Sequence, residues 1–410
     1  MNHQPVSIGM VGLGGFAQTV QRCLTKLAAE ADPLLRLAAA CEPMQELHAE
    51  KIAGLRAAGV TVVSDFAEIL KLPVQALWLP VPIQLHKDFS IRAMEAGKWV
   101  ICEKPAAGAI QDVDEMIAAR DRLGARITIG FQDIHERSTP LIKRELLAGV
   151  IGRLQRVTTT CCWARGSDYF ARNNWAGHAR CGNTWVLDSP CMNAMAHFVN
   201  LPLFLMGRSM ESTATPVGVS AELYRARAIE TADTCTIRVR TAEGPEALFL
   251  LTHACEEHTS PLMEFIGERG RCTITPAEAV FTLASGEVRR IVRQVDHARS
   301  AEVAIGRWTQ RRDDEVLATL ELARQQVLVV NAAFDAAPVR DLPASAYTVK
   351  DRGGVTQPVI HDISATLAAC AEAGKLPSEL GVSWAQPGGT LGLAGYTAFR
   401  GTWFPPHAVA

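Results

Sequence analysis

Val6-Ser7-Ile8-Gly9-Met10-Val11-Gly12-Leu13-Gly14-Gly15-Phe16-Ala17 is the stretch whose reading decides the fold. A short apolar run leads into glycines, and a helical pattern over Phe16–Ala29 follows at once. Gly12 permits a tight turn, Gly14 lets backbone approach a pyrophosphate, and Ala17 stands where a small residue allows helix and strand to pack closely. Gly15 and Phe16 fall at the helix start, where unbonded N–H groups face phosphates. Glycines also cluster in plain turns; the strand before and the helix after make this a dinucleotide loop.

Working outward, Leu35–Cys41 is a second apolar run, and it ends at Glu42. An acidic side chain there hydrogen-bonds the adenosine ribose hydroxyls and repels a 2′-phosphate, so NAD is expected and NADP disfavoured. Glu42-Pro43-Met44-Gln45 offers nothing basic; a solvated carboxylate at a helix start is the plainer reading of Glu42. Val60–Val63, Ala76–Leu79, Val100–Cys102 and Arg126–Gly130 are further strands, with helical stretches between them. Such alternation predicts a doubly wound parallel sheet over residues 1–131, an NAD-binding Rossmann domain.

Past Gln132 the pattern changes. Leu154–Trp163 reads as a long strand, Pro190–Met206 as a helix, and Cys235–Thr241, Ala247–His253, Met263–Thr275, Val280–Leu283 and Glu287–Val292 as strands without helices between them. Residues 132–410 are therefore expected to form an α+β domain with a mostly antiparallel open sheet. Helices resume at Asp313–Ala333 and Ile360–Ala373, while Trp384–Ala410 has no assignable pattern.

Bulk properties narrow the partners. At 410 residues the chain exceeds one hydrophobic core. A net charge of -2 with no basic tract argues against nucleic acid and anionic membranes. No basic segment precedes the first apolar run, so no signal peptide is read, and no apolar stretch reaches bilayer length. The eleven cysteines show no paired or zinc-like spacing. They read as reduced, mainly buried thiols of a cytoplasmic protein. No histidine forms a metal spacing with carboxylates, and no metal is expected.

Further residues carry the chemistry. Leu79-Pro80-Val81-Pro82 precedes His86, and Val100-Ile101-Cys102 runs into Glu103-Lys104-Pro105. Asn193-x-x-x-His197-x-x-Asn200 leads a helical stretch ending at Gly207. With the glycine loop, these stretches resemble the Gfo/Idh/MocA family, that of glucose–fructose oxidoreductase and inositol 2-dehydrogenase, as a divergent member. The resemblance implies an NAD(P)-dependent oxidoreductase acting on a sugar, cyclitol or polyol derivative. It implies cofactor contacts from Gly12, Gly14, Gly15, Phe16, Ala17, Glu42, Pro80, Pro82, His86, Glu103 and Lys104. It makes Lys104 and His197 the catalytic pair, one holding the reacting oxygen and the other taking its proton.

Two registers are open for the histidine motif, which in the family is usually Asp-x-Gly-x-His. Asp188 matches the aspartate at the expense of the histidine, because Met192 then takes its place. Aligning His197 instead puts Asn193 at the aspartate, and this register is preferred because the distance from His197 to Gly207 agrees. Asn193 and His197 then share a helix face. Asp188 could equally cap the helix.

Between the long strand and that helix lie Trp163, Arg165, Arg172, Asn174 and Trp175, a mixture of rings, forked donors and amides suited to a polyhydroxylated or acidic ligand. With Asp188 and Asn193 they form the expected substrate contacts, although turn chemistry alone also favours Asn and Gly. The family resemblance leaves two alternatives, an NAD-dependent glycosidase with transient redox chemistry and a non-catalytic sensor of NAD or sugar. It also implies a homodimer or homotetramer.

Overall fold

The computed structural model describes residues 4–311 and 315–405. They divide into two compact units. The first comprises Met1–Ala107, Asp112–Glu136 and Val295–Ala323, and the second Gly108–Gln111, Arg137–Gln294 and Arg324–Ala410. This differs from a single cut after residue 131, because the chain returns to the first unit late.

The first unit holds strands β1 (Val6–Val11), β2 (Leu35–Cys41), β3 (Thr61–Val63), β4 (Ala76–Leu79), β5 (Trp99–Cys102) and β6 (Ile127–Ile129). Their order is β3-β2-β1-β4-β5-β6, with every pair parallel. This is the doubly wound order, and its switch point lies between β1 and β4, where ligands bind outside the carboxyl ends. Helices α1 (Ala17–Ala28), α2 (Ala49–Ala57), α3 (Phe66–Lys71), α4 (His86–Glu95) and α5 (Ile110–Leu123) occupy the connections. All six residues of β1 are buried, as expected for a strand covered on both faces.

The returning segment completes this core. Ala301, Ala304, Ile305 and Trp308 of the helix Arg299–Trp308 join the cluster of Ile8, Met10, Leu24 and Trp78. Trp308 meets Trp99 edge to face at 5.8 Å. Ile129 N–H and Thr128 Oγ1 both donate to the carbonyl of Ala318, at 2.8 and 3.0 Å. Sequence reading missed this helix, although its apolar residues recur at helical spacing.

The second unit is built on β7 (Leu154–Cys162) and two short ribbon strands, β8 (Arg180–Cys181) and β9 (Thr184–Trp185). There follow β10 (Pro216–Arg225), β11 (Thr234–Thr241), β12 (Glu246–Thr252), β13 (Leu262–Gly267), β14 (Gly270–Ile274), β15 (Glu278–Leu283) and β16 (Val288–Val292). Later come β17 (Val339–Asp341), the hairpin β18 (Tyr347–Arg352) and β19 (Val355–Ile360), and β20 (Gly389–Gly392).

The main sheet runs β16-β15-β14-β13-β7-β12-β11-β10-β17, with β20 also on β10. Only β12–β7 and β10–β17 pair in parallel, so the sheet is mostly antiparallel as expected. Met263–Thr275 is two strands turning at Glu268-Arg269, the sheet hairpin that the family resemblance of Glu264–Gly270 implies. Strand β10 was not anticipated, although Val217, Val219, Ala221 and Leu223 alternate with Gly218, Ser220 and Glu222 in the two-residue period of a strand.

The helix expected over Asp313–Ala333 runs Leu320–Ala336, and Asp313 lies outside the described residues. The segment after Trp384 is held by Asp335, whose carboxylate accepts from Tyr396 Oη at 2.6 Å and Arg400 N–H at 2.9 Å. All eleven cysteines are free thiols, ten of them buried.

Candidate active site

In the first unit the glycine loop leaves β1 at the switch point. Gly12 has φ +98° and donates its N–H to Cys41 O at 2.8 Å. A Cβ there would stand 3.3 Å from the carbonyl oxygen of Pro80, so a bare α-carbon lets the ends of β1 and β4 approach. Gly15 and Phe16 are exposed, whereas Ala17 is wholly buried under α1.

Glu42 does more than end β2. It is 4% exposed, and its carboxylate accepts from Leu13 N–H at 2.8 Å and Met44 N–H at 2.9 Å. The carboxylate therefore braces the glycine loop, and the reading of it as merely solvated does not hold. Two basic side chains that the local sequence did not suggest also gather here. His48 Nε2 lies 3.9 Å from Glu42, and Lys51 Nζ donates to Leu13 O at 3.2 Å.

At the end of β5, Glu103 is buried under the indole N–H of Trp78, which donates to it at 3.0 Å. Burial pushes its pKa up to about 7, against the opposing pull of that bond and of the Lys104 charge. Gly130 leaves the room: a Cβ there would lie 2.7 Å from both carboxylate oxygens. Lys104 follows, half-buried, joined to Pro105 by a cis peptide bond.

His86, expected among the cofactor contacts, is 1% exposed and occupied elsewhere. Its Nδ1 meets Pro105 O at 2.7 Å and its Nε2 meets Val81 O at 2.9 Å. Burial holds its pKa below the ordinary value. The ring ties the loop carrying Pro80 and Pro82 to the one carrying Lys104, a positioning role. Both prolines are half-buried beside it.

In the second unit, Trp163 and Arg165 continue β7 beyond its paired length. Trp163 N–H donates to Thr252 O at 2.9 Å and Arg165 N–H to His253 O at 3.2 Å. The Arg165 guanidinium carbon lies 4.7 Å from the centre of the Tyr169 ring and 5.8 Å from that of Trp163. Arg172 covers Tyr169 at 3.6 Å and approaches Trp175 at 5.1 Å. Asn173 Oδ1 accepts from the N–H groups of Trp175 and Ala176, which explains the asparagine as turn chemistry. Asn174 is exposed beside it.

Asp188 is 2% exposed. It accepts from Gly177 N–H at 2.8 Å and Asn193 Nδ2 at 2.7 Å, and lies 3.5 Å from Arg172. Its carboxylate thus pins the loop. The two residues between which the sequence left a choice of register are joined by a hydrogen bond.

The expected continuous helix from Pro190 is also broken. Pro190–Ala194 forms a wide turn in which Met195 N–H reaches Pro190 O at 2.8 Å, and a regular helix starts only at His197. That extra turn shifts the helical phase, so sharing one face does not follow from the spacing of Asn193 and His197. His197 is 8% exposed, and its neighbour Phe198 packs on Trp163 at 5.2 Å between ring centres.

Sequence reading missed three members of this cluster, Arg227, Asp233 and His253. Arg227 Nη2 donates to Arg165 O at 2.9 Å, its Nε lies 3.3 Å from Asp233, and it covers Phe170 at 4.4 Å. His253 Nδ1 meets Trp163 O at 2.7 Å. Burial, helped by the charges of Arg165, Arg227 and Arg172, lowers its pKa to about 3, so it is neutral. Strand pairing brings them here: β12 beside β7 places His253, and β11 between β10 and β12 places the turn bearing Arg227 and Asp233. Among the described residues no group of His, Cys, Asp and Glu could hold a metal, and no helix is long and apolar enough to cross a membrane.

Comparison with known proteins agrees with this geometry. Residues 6–131 match the profile of an oxidoreductase family with an NAD-binding Rossmann fold, and residues 141–273 match the GFO/IDH/MocA C-terminal domain. An uncharacterised oxidoreductase of Rhizobium meliloti is 45% identical over 64 residues, which are 15% of this chain and only 19% of that protein. The inositol 2-dehydrogenase of Ralstonia nicotianae is 24% identical over 67% of this chain and 75% of its own. The WlbA dehydrogenase from Bordetella pertussis, solved with NADH and UDP-GlcNAcA, superposes with a TM-score of 0.66. It is 20% identical, over 81% of this chain and 96% of that one. With both profiles matched in order over more than half its length, the chain belongs to the GFO/IDH/MocA oxidoreductase family.

Proposed function

We propose that the protein transfers a hydride between a CH–OH group of a sugar, cyclitol or polyol derivative and a nicotinamide dinucleotide, with NAD preferred over NADP. The observation that carries this reading is the strand order of the first unit. It makes neighbours of β1, β4 and β5, whose carboxyl ends bear the glycine loop, Pro80 and Lys104.

The residues fit the cofactor. Positive φ at Gly12 and Gly15 and the α1 start suit a pyrophosphate, and the buried Glu42 carboxylate suits a ribose and opposes a 2′-phosphate. Bound nicotinamide supplies the hydride acceptor or donor. Lys104 donates a hydrogen bond to the reacting oxygen and stabilises the negative charge that develops on it. His197 accepts the hydroxyl proton in the oxidative direction. A homodimer or homotetramer is the proposed assembly.

The test is NADH formation across a polyol and sugar panel. Lys104→Met is expected to lower kcat about 10²- to 10³-fold, and His197→Ala about 10²- to 10⁴-fold, with NAD binding retained in both. Turnover intact in both variants defeats the assignment. One NADH per product marks a dehydrogenase, whereas product without net NADH marks the glycosidase.

A further inference from the structure

Three guanidinium groups converge on the aromatic cluster of the second unit, and their charges are not equally answered. Arg172 has Asp188 at 3.5 Å and Arg227 has Asp233 at 3.3 Å. For Arg165, no carboxylate among the described residues lies within ion-pair distance. Its Nε is buried with no hydrogen-bond acceptor among them.

The other nearby titratable groups do not pair with Arg165. Glu230 is held by His178 Nδ1 at 3.2 Å and Ala179 N–H at 2.8 Å. Asp168 folds back over Gly166, its Oδ1 2.7 Å from where a Cβ would stand. His253 is neutral. Arg165 is therefore the one of these three guanidinium groups with no carboxylate partner among the described residues, a planar fork flanked by Tyr169 and Trp163. A buried donor left unpaired costs stability, which the fold tolerates where a ligand supplies the acceptor.

We propose that the substrate carries a carboxylate, as a sugar acid of the aldonate or uronate type, and that Arg165 recognises it. This deepens the oxidoreductase reading and rests on it for the reaction. Charge selects the carboxylate: it brings one negative charge to the one unpaired guanidinium, whereas a phosphate monoester brings about 1.5 to 2 beside carboxylates already present. The guanidinium also matches a carboxylate in bidentate geometry. The rings beside it offer faces to the sugar carbons.

Calorimetric titration of the whole protein with NAD present tests this. The probes are D-glucuronate and D-gluconate, set against D-glucose, D-glucitol and glucose 6-phosphate. The acids are expected to bind about ten- to a hundredfold more tightly than their neutral counterparts. Arg165→Gln should erase that ratio, and Arg165→Lys should keep part of it. Neutral compounds bound as well as the acids, tighter binding of the phosphate, failure of every acid to bind, or a ratio that survives R165Q each overturn the proposal.

Should R165Q lose its fold by circular dichroism, the wild-type ratio must still shrink as salt rises, and a salt-invariant ratio overturns the proposal equally. The two readings fail separately. A carboxylate preference that vanishes in R165Q, with no NADH ever formed, refutes the oxidoreductase reading alone. NADH formed equally from neutral polyols refutes only the carboxylate.

Discussion

Glu103→Gln removes an ionisable group whose surroundings disfavour its charge, and the consequence for stability can be worked out. The carboxyl is 6% exposed, and burial raises its pKa from 4.5 to about 7. Below pH 4.5 it is protonated in both folded and unfolded chains. Between 4.5 and 7 the unfolded chain ionises while the folded one keeps its proton, so stability falls as pH rises. Above 7 the loss is complete. The gap corresponds to about 3 kcal/mol.

Glutamine is isosteric, can still accept from the Trp78 indole, and does not titrate. Other titrating groups are common to both proteins and cancel in the difference between variant and wild type. Urea unfolding followed by tryptophan fluorescence at several pH values between 5 and 8 should show that difference shifting in favour of E103Q by up to about 3 kcal/mol. A difference that stays flat with pH refutes the argument that burial governs this carboxyl.

Three further outcomes follow from close contacts. Gly130→Ala drives a methyl to 2.7 Å from both oxygens of Glu103; a loss of about 1–3 kcal/mol by denaturation is expected, larger at pH 8 than at pH 5, where the carboxyl is neutral. Glu42→Gln keeps one acceptor for two N–H groups and removes the charge; fluorescence titration should show weaker NAD binding and a narrower preference for NAD over NADP. Asp188→Ala removes the acceptor of Gly177 N–H, a buried bond, and one acceptor of Asn193 Nδ2; a loss of roughly 1–3 kcal/mol is expected, with faster hydrogen exchange confined to the loop around Gly177.

What could be read from sequence was what is local. β1, β2 and β4 have the bounds expected of them, because continuous apolar runs between turn residues allow few other readings. The glycine loop announced itself through spacing. Glu42 was found, but its bonds to Leu13 and Met44 were not, since they depend on how β2 meets the loop. His86 shows the opposite failure: the motif was right, yet the ring faces two carbonyls inside the fold. Arg227 and His253 were invisible because strand pairing, not chain proximity, brings them to Arg165.

The late return of Val295–Ala323 has a consequence for how the molecule is made. A ribosome delivers the six strands of the parallel sheet early, but Ala301, Ile305 and Trp308, which complete its core, come only after all of β7 to β16 have emerged. Until then the nascent first unit carries uncovered apolar surface, the condition under which chains aggregate or recruit chaperones. The dinucleotide half is therefore not a portable module. Cut out as residues 1–136 it lacks a wall, and a fusion or truncation that respects only the linear order of motifs removes part of the core that keeps Gly12 and Lys104 in place.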